Sequence, residues 1–212
     1  MIYLRRYLTV DLRLLGIEYQ NKPSLLTRVY NNPKTCVVVI DMVNGFCNSG
    51  ALASPRCASV AGGIASALDY LNDAYKVFIC DEHSSNAVEF NSFPPHCHNK
   101  TESAVIKELA PYADFIIGKN STNGIFKFLS SVAIVNSFDN FLIMGVCTDI
   151  CVLQFALSLK AYLNESDKPA NVIVFTDYTE TYDMDGHNAD SFNAAAYKLM
   201  ENAGISIFKN LK

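Results

Sequence analysis

The sequence predicts a three-layer α/β/α domain built around a mainly parallel sheet of six strands. Three observations predict this fold class: six short runs rich in valine and isoleucine, the lack of polar–apolar alternation within them, and the helical patterns between them. Apolar runs without alternation are typical of strands that are buried on both faces, as in parallel sheets. Strand–helix alternation then implies right-handed crossovers, with helices covering both faces of the sheet.

The predicted strands are CVVVI (36–40), KVFIC (76–80), DFIIG (114–118), FLIMGV (141–146), NVIVF (171–175) and ISIF (205–208). Residues 1–35 precede the first strand and are predicted to be an N-terminal extension, either a helix or an arm that packs on a neighbour. Residues 36–212 form the predicted domain, a length that suits a single core. We expect the protein to assemble as a homo-oligomer.

Helices are predicted between the strands at residues 57–72, 101–110, 149–163 and 188–203. The second of them begins with Thr101, which resembles a capping box ahead of the apolar positions. The third is apolar nearly all round, which predicts a largely buried helix. The fourth ends before Gly204, a suitable C′ glycine.

Charge and composition exclude two classes of partner. A formal net charge of −4 with scattered basic residues provides no positive patch for nucleic acid. Every apolar stretch is shorter than the roughly 18–20 residues that span a bilayer, and the N-terminal stretch is too charged for a secretory signal. Seven cysteines, several within apolar runs, are typical of reduced, buried thiols, so we expect a cytoplasmic protein.

Polar residues follow the predicted strands, at the carboxyl ends where open α/β sheets bind their ligands. Asp41 follows the first strand, and Asp81 and His83 follow the second. Lys119 follows the third strand, and Cys151 lies shortly beyond the fourth. The fold therefore predicts that acids, an imidazole, an amine and a thiol meet on one rim of the sheet.

Cys151 is the predicted nucleophile because of its place at the start of a helix. Thr148 or Asp149 is a natural N-cap, which puts the thiol in the first helical turn. There the helix dipole and free backbone N–H groups are expected to lower the pKa of the thiol. Asp41 is the nearest candidate for the base, since no histidine follows the serine-hydrolase pattern. The alternative is an inert, buried cysteine.

A second group of polar residues is predicted to bind a metal. The pattern Asp81-x-His83-x5-Glu89-x6-His96 offers four ligands in a loop stiffened by residues 93–95 (FPP). Mixed histidine and carboxylate ligands suit one divalent metal ion, zinc first, with iron and manganese as alternatives. The competing interpretation is a polar loop with two unrelated histidines.

Four polar or reactive residues near these groups are predicted to have no part in the site. Cys97 and His98 are interpreted as bystanders beside the metal-binding pattern. His187, near a helix start, is interpreted as a surface or capping residue. Asp177 is interpreted as a helix cap or loop residue, since carboxylates often have that role after a strand.

Four segments carry a resemblance to a known family: VVVIDMVNGF (37–46), DEHSSNAVEFNSFPPHC (81–97), IIGKNSTNG (116–124) and GVCTDICV (145–152). Together they resemble the isochorismatase-like cysteine hydrolase family. The FPPH segment preceded by D-x-H is similar to the nicotinamidase (pyrazinamidase) branch in particular. The resemblance covers roughly residues 36–208 and implies the isochorismatase-like hydrolase fold.

The resemblance implies a cysteine amidohydrolase that converts nicotinamide into nicotinate and ammonia through a thioester, a reaction of NAD salvage. It implies a catalytic triad of Asp41, Lys119 and Cys151. It also implies that one metal ion is held by Asp81, His83, Glu89 and His96.

The same resemblance implies how the substrate is held. Phe46 and Phe93 match aromatic positions that sandwich the pyridine ring. The peptide between Val146 and Cys147 matches a position that is cis in the family. The N–H groups of Cys147 and Cys151 match the family's oxyanion hole.

Two features depart from the nicotinamidase pattern. Thr122 lies three positions after Lys119, where nicotinamidases commonly carry an aromatic residue. The resemblance therefore does not decide the shape of the pocket wall or the exact substrate. The extension before the first strand also lies outside the usual pattern.

Other functions compete with this interpretation. Another small-amide or carbamoyl hydrolase would use Cys151 without the metal, whereas an isochorismate-type vinyl ether hydrolase does not need the cysteine. A redox module would pair Cys147 with Cys151, but their spacing is not C-x-x-C, and Asp41 and Lys119 would have no role. A Rossmann protein is disfavoured because no glycine-rich turn follows the first strand.

Overall fold

Six parallel strands form one sheet in the computed structural model, which describes residues 23–30 and 32–211, with side chains except at 23–24 and 132–134. The strands are β1 (Thr35–Ile40), β2 (Tyr75–Asp81), β3 (Phe115–Lys119), β4 (Asn140–Val146), β5 (Asn171–Glu180) and β6 (Ser206–Phe208). Their order is β3-β2-β1-β4-β5-β6, and every neighbouring pair is parallel. The predicted fold class and the six predicted strands are confirmed.

β1 lies in the middle of the sheet, between β2 and β4. Its residues alternate between two hydrophobic clusters: Val37 and Val39 pack into one, and Val38 and Ile40 pack into the other. Because both faces are covered, both sets of side chains are apolar. This is why the sequence of the strand shows no alternation.

The described helices cover both faces of this sheet. They are α1 (Pro23–Tyr30), α2 (Asn44–Cys47), α3 (Pro55–Ser59), α4 (Ala61–Tyr70), α5 (Lys100–Ser103), α6 (Ile125–Leu129), α7 (Val132–Ser137), α8 (Leu153–Glu165) and α9 (Ala189–Asn202). The predicted C′ glycine of the last helix is confirmed, since Gly204 has φ +83°. Among the helices that the structure describes, none is long and apolar enough to span a bilayer.

The prediction of a helix at residues 101–110 is wrong beyond the first turn. α5 ends at Ser103, and its N-cap is Asn99, not Thr101. After the helix, Ala104 turns to extended backbone and its carbonyl accepts a hydrogen bond from the backbone N–H of Asn44. The next residues bond to the segment after β1, and these tertiary hydrogen bonds replace those of a longer helix.

β5 is longer than predicted and contains an irregular stretch. Its pairing with β4 jumps from Ile143–Val174 to Gly145–Thr179. Asp177 lies in this stretch, and its side chain accepts a hydrogen bond of 2.8 Å from Asn210. The residue therefore belongs to the strand and not to a helix cap.

The helix α1 packs against the domain ahead of the first strand. Val29 is buried in the cluster that holds Val37, and its carbonyl accepts a 2.7 Å hydrogen bond from the Thr35 hydroxyl. Tyr30 donates a 2.7 Å hydrogen bond to the carbonyl of Leu211 near the other end of the chain. Residues 1–22 of the expected extension lie outside the described residues.

Gly145 occupies a position in β4 that no other residue fits. Its φ is +116°, and a Cβ there would lie 2.0 Å from the Ile40 carbonyl oxygen. We expect Gly145→Ala to lower the free energy of unfolding by at least about 3 kcal/mol, through backbone strain and overpacking together. A Cβ added at Gly62, in α4, would meet no described atom within 4 Å, so Gly62→Ala is the matched control. Urea denaturation of both variants measures the difference, and equal stability would contradict this account.

Candidate active site

The carboxyl ends of three parallel strands, β1, β3 and β4, bring the predicted catalytic residues together. Asp41 follows β1, Lys119 ends β3, and Cys151 lies in a π turn (Thr148–Val152) after β4. Because the strands are parallel, these ends lie on one edge of the sheet, and all three side chains are buried. Asp81, the last residue of β2, pairs with Lys119 in the strand register.

The Lys119 ammonium group lies at the centre of this cluster. Its Nζ is 2.9 Å from Asp41 Oδ2 and 3.8 Å from Cys151 Sγ, and it also contacts Asp81 Oδ1. Burial alone would lower the pKa of the lysine, but the neighbouring Asp41, Cys151 and Asp81 raise it well above its usual value. Lys119 is therefore a buried cation that holds two carboxylates beside the thiol.

Asp41 is placed and tuned to exchange a proton. Its φ of 53° is uncommon for a residue other than glycine, and such backbone is concentrated at functional sites. Its Oδ1 accepts a 2.8 Å hydrogen bond from the backbone N–H of Asp81. Burial and the charge of Asp81 raise the pKa of Asp41 to about 7, against the opposing effect of Lys119. A carboxyl group that titrates near neutrality is suited to act as a base and then as an acid.

The Cys151 thiol does not have the lowered pKa that its position predicted. Burial raises the pKa well above its usual value, and the opposing charge of Lys119 does not overcome this effect. The expectation was wrong because it considered the helix dipole without complete desolvation of the sulfur. The thiol therefore needs a base, and Asp41 is placed for that role, because the Lys119 ammonium that lies 3.8 Å from the sulfur also lies 2.9 Å from Asp41 Oδ2.

The turn that carries Cys151 also differs from the predicted helix start. Residues 148–152 form a π turn, and α8 begins only at Leu153. Neither Thr148 nor Asp149 is the N-cap, since Cys147 occupies that position and makes no side-chain capping hydrogen bond. π turns inside helices are frequent at functional sites.

A cavity of about 630 Å³ opens onto the thiol, within the range of small-molecule sites. Cys147 and Cys151 both line it. The peptide bond between Val146 and Cys147 is cis, as the resemblance implied. The two residues predicted to supply the oxyanion hole therefore lie on the same cavity wall.

The predicted aromatic residues line the same cavity. Phe46 and Phe93 both face into it, and their ring centroids lie 5.6 Å and 6.3 Å from that of His96. Thr122 also forms part of the wall, and its hydroxyl donates a 3.1 Å hydrogen bond to Gln154 Oε1. Thr122, the residue that departs from the nicotinamidase pattern, is thus part of the cavity wall.

Three of the predicted metal ligands form a compact buried group. The ligand atoms of Asp81, His83 and His96 all lie within 4.8 Å of one another. Asp81 Oδ2 is 3.5 Å from His83 Nε2 and 3.4 Å from His96 Nε2. Burial raises the pKa of Asp81, but Lys119 and the two histidines outweigh it and hold that pKa well below its usual range. The carboxylate is therefore ionised and available as a ligand.

The hydrogen bonds of the two histidines fit a metal ion. His83 Nδ1 lies 3.3 Å from Asn120 Oδ1, and His96 Nδ1 lies 2.8 Å from the Pro94 carbonyl oxygen. These acceptors favour a proton on Nδ1 and leave the Nε2 lone pairs free for a ligand. His83 Nε2 is buried without a hydrogen-bond partner among the described residues, an arrangement that a bound cation would satisfy.

Glu89, the fourth predicted ligand, lies at the edge of this group. Its Oε1 is 3.9 Å from His83 Nε2, and its Oε2 accepts a 2.9 Å hydrogen bond from the backbone N–H of Thr122. Glu89 lies outside the compact group of three, so its ligation stays a prediction. The hydrogen bond between Glu89 and Thr122 does connect the predicted metal-binding loop to the cavity wall.

Residues 35–203 match the sequence model of the isochorismatase domain family, which is most of the chain. The chain belongs to the isochorismatase family. The resemblance seen in the sequence is thereby confirmed.

Individual relatives of this isochorismatase-family protein include Nicotinamidase 1 of Arabidopsis thaliana, which is 25% identical over 90% of this chain and 87% of its own length. The zinc complex of the Pyrococcus horikoshii pyrazinamidase is similar in structure, with a TM-score of 0.68 at 22% identity over 84% of this chain and 99% of that one. The N-carbamoylsarcosine amidase of Thermoplasma acidophilum has a TM-score of 0.67 at 23% identity, over 83% and 96% of the two chains. The structural likeness establishes the shared fold.

Three residues with predicted minor roles have different surroundings in this isochorismatase-family protein. Cys97 is buried, and its backbone N–H donates a 2.8 Å hydrogen bond to Glu102, whereas His98 is exposed, as a bystander would be. His187 is neither a surface nor a capping residue, because it is buried and the N-cap of α9 is Asn188. No local pattern in the sequence predicts the long-range contacts of His187.

Proposed function

We propose that this protein is a nicotinamidase, an amidohydrolase that converts nicotinamide into nicotinate and ammonia. The observation that carries the proposal is the buried cluster of Asp41, Lys119 and Cys151, which opens onto a cavity beside the buried group of Asp81 and two histidines. The similarity to Nicotinamidase 1 of Arabidopsis thaliana supports the same activity. A thiol, a base and a buried cation are the parts that acyl transfer through a thioester requires.

In the proposed mechanism Asp41 accepts the proton of the Cys151 thiol as the sulfur attacks the carboxamide carbon. The C–S bond forms, and the carbonyl electron pair moves to oxygen. Asp41 then returns the proton to the amide nitrogen, the C–N bond breaks, and ammonia leaves a thioester on Cys151. A water molecule that Asp41 deprotonates hydrolyses the thioester, which releases nicotinate and regenerates the thiol.

The remaining residues hold charge and substrate during these steps. Lys119 stabilises the negative charge that moves between Asp41 and Cys151, at distances of 2.9 Å and 3.8 Å. The backbone N–H groups of Cys147 and Cys151 are the proposed oxyanion donors, and each such donor is worth roughly 3–4 kcal/mol in other acyl-transfer enzymes. Phe46 and Phe93 are the proposed walls against the pyridine ring.

The proposed metal ligands are Asp81, His83, His96 and Glu89, and zinc is the proposed ion. When bound there, an ion would supply a Lewis acid for the pyridine nitrogen and so help to orient the ring. The three buried ligands and the unpartnered His83 Nε2 support this assignment.

Removal of a metal ligand is expected to weaken metal binding and substrate binding together. His96→Ala deletes one of three buried ligands, so we expect at least about a 100-fold loss of zinc affinity, as ligand and supporting-shell changes produce elsewhere. KM for nicotinamide should rise far more than kcat falls, because the ion orients the ring and does not react. His98→Ala, in the exposed part of the same loop, is the matched control. Zinc titration and steady-state kinetics measure both effects, and full activity in a demonstrably metal-free protein would contradict the assignment.

A second candidate is a related amide or carbamoyl hydrolase on the same machinery. The observation that favours it is Thr122, which forms cavity wall where nicotinamidases commonly carry an aromatic residue. A threonine offers a hydroxyl and less ring contact, which suits a smaller or more polar acyl group. Both candidates use Cys151 and differ only in the substrate.

Ammonia release from a panel of amides tests the proposal. Purified zinc-loaded protein is incubated with nicotinamide, pyrazinamide, benzamide and an N-carbamoyl amino acid. We expect nicotinamide to have the highest kcat/KM, with benzamide much poorer because it lacks the ring nitrogen. Preference for the carbamoyl compound would support the second candidate, and no release from any amide would contradict both.

The proposed activity also suggests a metabolic role and a cellular compartment. A nicotinamidase supplies nicotinate for NAD salvage, and we propose that role here. All seven cysteines are free and buried, which supports a reducing compartment such as the cytoplasm. We also propose a homo-oligomer, with residues 1–35 as an extension to the catalytic domain, and no nucleic-acid or membrane partner.

A further inference from the structure

A buried histidine outside the proposed machinery contacts the turn that carries the nucleophile. His187 Nε2 lies 2.8 Å from Asp149 Oδ2, although the two residues are 38 positions apart. Asp149 belongs to the π turn, two positions before Cys151. The proposed mechanism gives neither His187 nor Asp149 a role.

The ring of His187 is held firmly on both faces. It stacks on Tyr182, with centroids 4.1 Å apart and an angle of 8° between the planes. On its other face Phe192, from α9, lies 3.9 Å away at 29°. Close stacking of this kind fixes both the depth and the tilt of the ring. The direction of its two nitrogen atoms is therefore set by the fold.

Both nitrogen atoms of this ring face acceptors. His187 Nδ1 lies 2.9 Å from the carbonyl oxygen of Tyr182, and Nε2 faces the carboxylate of Asp149. Each nitrogen lies within hydrogen-bond distance of its acceptor, and the acceptor at Nε2 is a carboxylate oxygen. His187 thus connects Tyr182, which lines the cavity just after the end of β5, to the π turn.

Within the described part of the chain, the 2.8 Å contact between His187 and the Asp149 carboxylate is what ties the histidine to the π turn. Its N-cap residue, Cys147, makes no capping hydrogen bond with its side chain. The second carboxylate oxygen of Asp149, Oδ1, is buried and has no hydrogen-bond partner within the described part of the chain. Without His187, the Asp149 carboxylate, whose Oδ1 already has no partner, would lose its hydrogen bond at Oδ2 as well, and we expect the turn to shift to expose it.

We propose that His187 is a positioning residue for the reaction: through Asp149 it holds the turn that presents Cys147 and Cys151 to the substrate. The expected effect on catalysis rests on the proposed function, whereas the expected effect on the position of the turn rests on the contacts of His187. The turn carries both the nucleophile and the proposed oxyanion donors. A small shift of these groups weakens contacts that form fully only in the transition state.

The expected signature is a loss in kcat with little change in KM. His187→Phe keeps a flat ring between Tyr182 and Phe192 but removes both hydrogen bonds. We expect its kcat to fall about 10- to 100-fold while KM stays within about 3-fold, since the lost contacts act in the transition state. His187→Gln keeps a donor for Asp149 and is expected to recover most of the loss. Asp185→Asn, an exposed change in the same loop, is the matched control.

A double-variant cycle tests whether His187 acts through Asp149. If it does, Asp149→Ala should lower kcat as much as His187→Phe, and the combined variant should be no worse than either alone. Fully additive losses would overturn the proposal, because they would mean that the two residues act separately. Thermal unfolding of each variant separates lost positioning from lost folding. If His187→Phe does not fold, the Gln variant and the Asp149 variant decide the question.

Alkylation of Cys151 by iodoacetamide provides a readout that does not depend on the substrate. The proposal predicts that His187→Phe slows alkylation at Cys151, located by peptide mass spectrometry, by about 10-fold, because the sulfur moves away from Asp41 and Lys119. Wild-type rates of both alkylation and turnover in a folded His187→Phe variant would overturn it. If the wild type releases no ammonia from any amide, the proposed function fails, and the alkylation rates still decide the role of His187.

Discussion

Replacing Cys151 with alanine is expected to lower kcat by roughly 10⁴-fold or more, because no other group forms the thioester. The change removes one buried sulfur atom and leaves the proposed metal ligands and the aromatic walls of the cavity intact. Nicotinamide should therefore still bind, with a dissociation constant close to the KM of the wild type. Steady-state ammonia release and equilibrium binding to the variant measure the two effects separately.

Cys36 provides the matched control for this prediction. It is a buried cysteine near the amino end of β1, opposite to the end that carries the site, and it does not line the cavity. Cys36→Ala should cost about 1–2 kcal/mol of stability through the small space it leaves, with kcat unchanged. Near-normal turnover by Cys151→Ala would show that the covalent mechanism is wrong.

Replacing Lys119 with methionine is expected to damage both catalysis and stability. The side chain is 1% exposed and lies between Asp41 and Asp81, so its loss leaves two buried carboxylates without a cation. Removing one partner of a buried ion pair costs about 3–5 kcal/mol of stability. Without the cation, one of the two carboxyl groups is expected to take up a proton. We expect kcat to fall by about 10²- to 10⁴-fold, the range found for loss of a proton-transfer group.

Lys76 provides the comparison for Lys119. It is also a buried lysine, in β2, but at the amino end of the strand, where its Nζ donates hydrogen bonds to the carbonyls of Asn72 and Ala74. Lys76→Met should lower stability by about 1–3 kcal/mol, the cost of unpaired buried carbonyls, and leave kcat unchanged. Equal kcat values for Lys119→Met and the wild type, measured on folded protein, would contradict the assigned role.

The sheet could be predicted from the sequence because its cause is local. Each strand contains a short apolar run, and β1 shows why, since successive valines pack on opposite faces. The helix at 101–110 could not be predicted correctly, because hydrogen bonds from Asn44 and to Met42 decide that segment. Those partners lie more than fifty positions away in the chain, and local patterns do not contain them.

The candidate site was predictable to the extent that it follows from parallel strands. Asp41, Lys119 and Cys151 meet because the carboxyl ends of all the parallel strands lie on one edge of the sheet. The pKa of Cys151 was not predictable, because it depends on complete burial rather than on position in a helix. The contact of His187 with Asp149 was not predictable either, since it joins two loops that are distant in the sequence.

Detection of an acyl group on Cys151 tests the central claim most directly. Zinc-loaded protein is mixed with saturating nicotinamide, quenched in acid during turnover, digested, and analysed by peptide mass spectrometry. The account predicts a nicotinoyl group on the peptide that contains Cys151, absent from Cys151→Ala and absent without substrate. Ammonia release at full rate with no acyl group on Cys151 would contradict it.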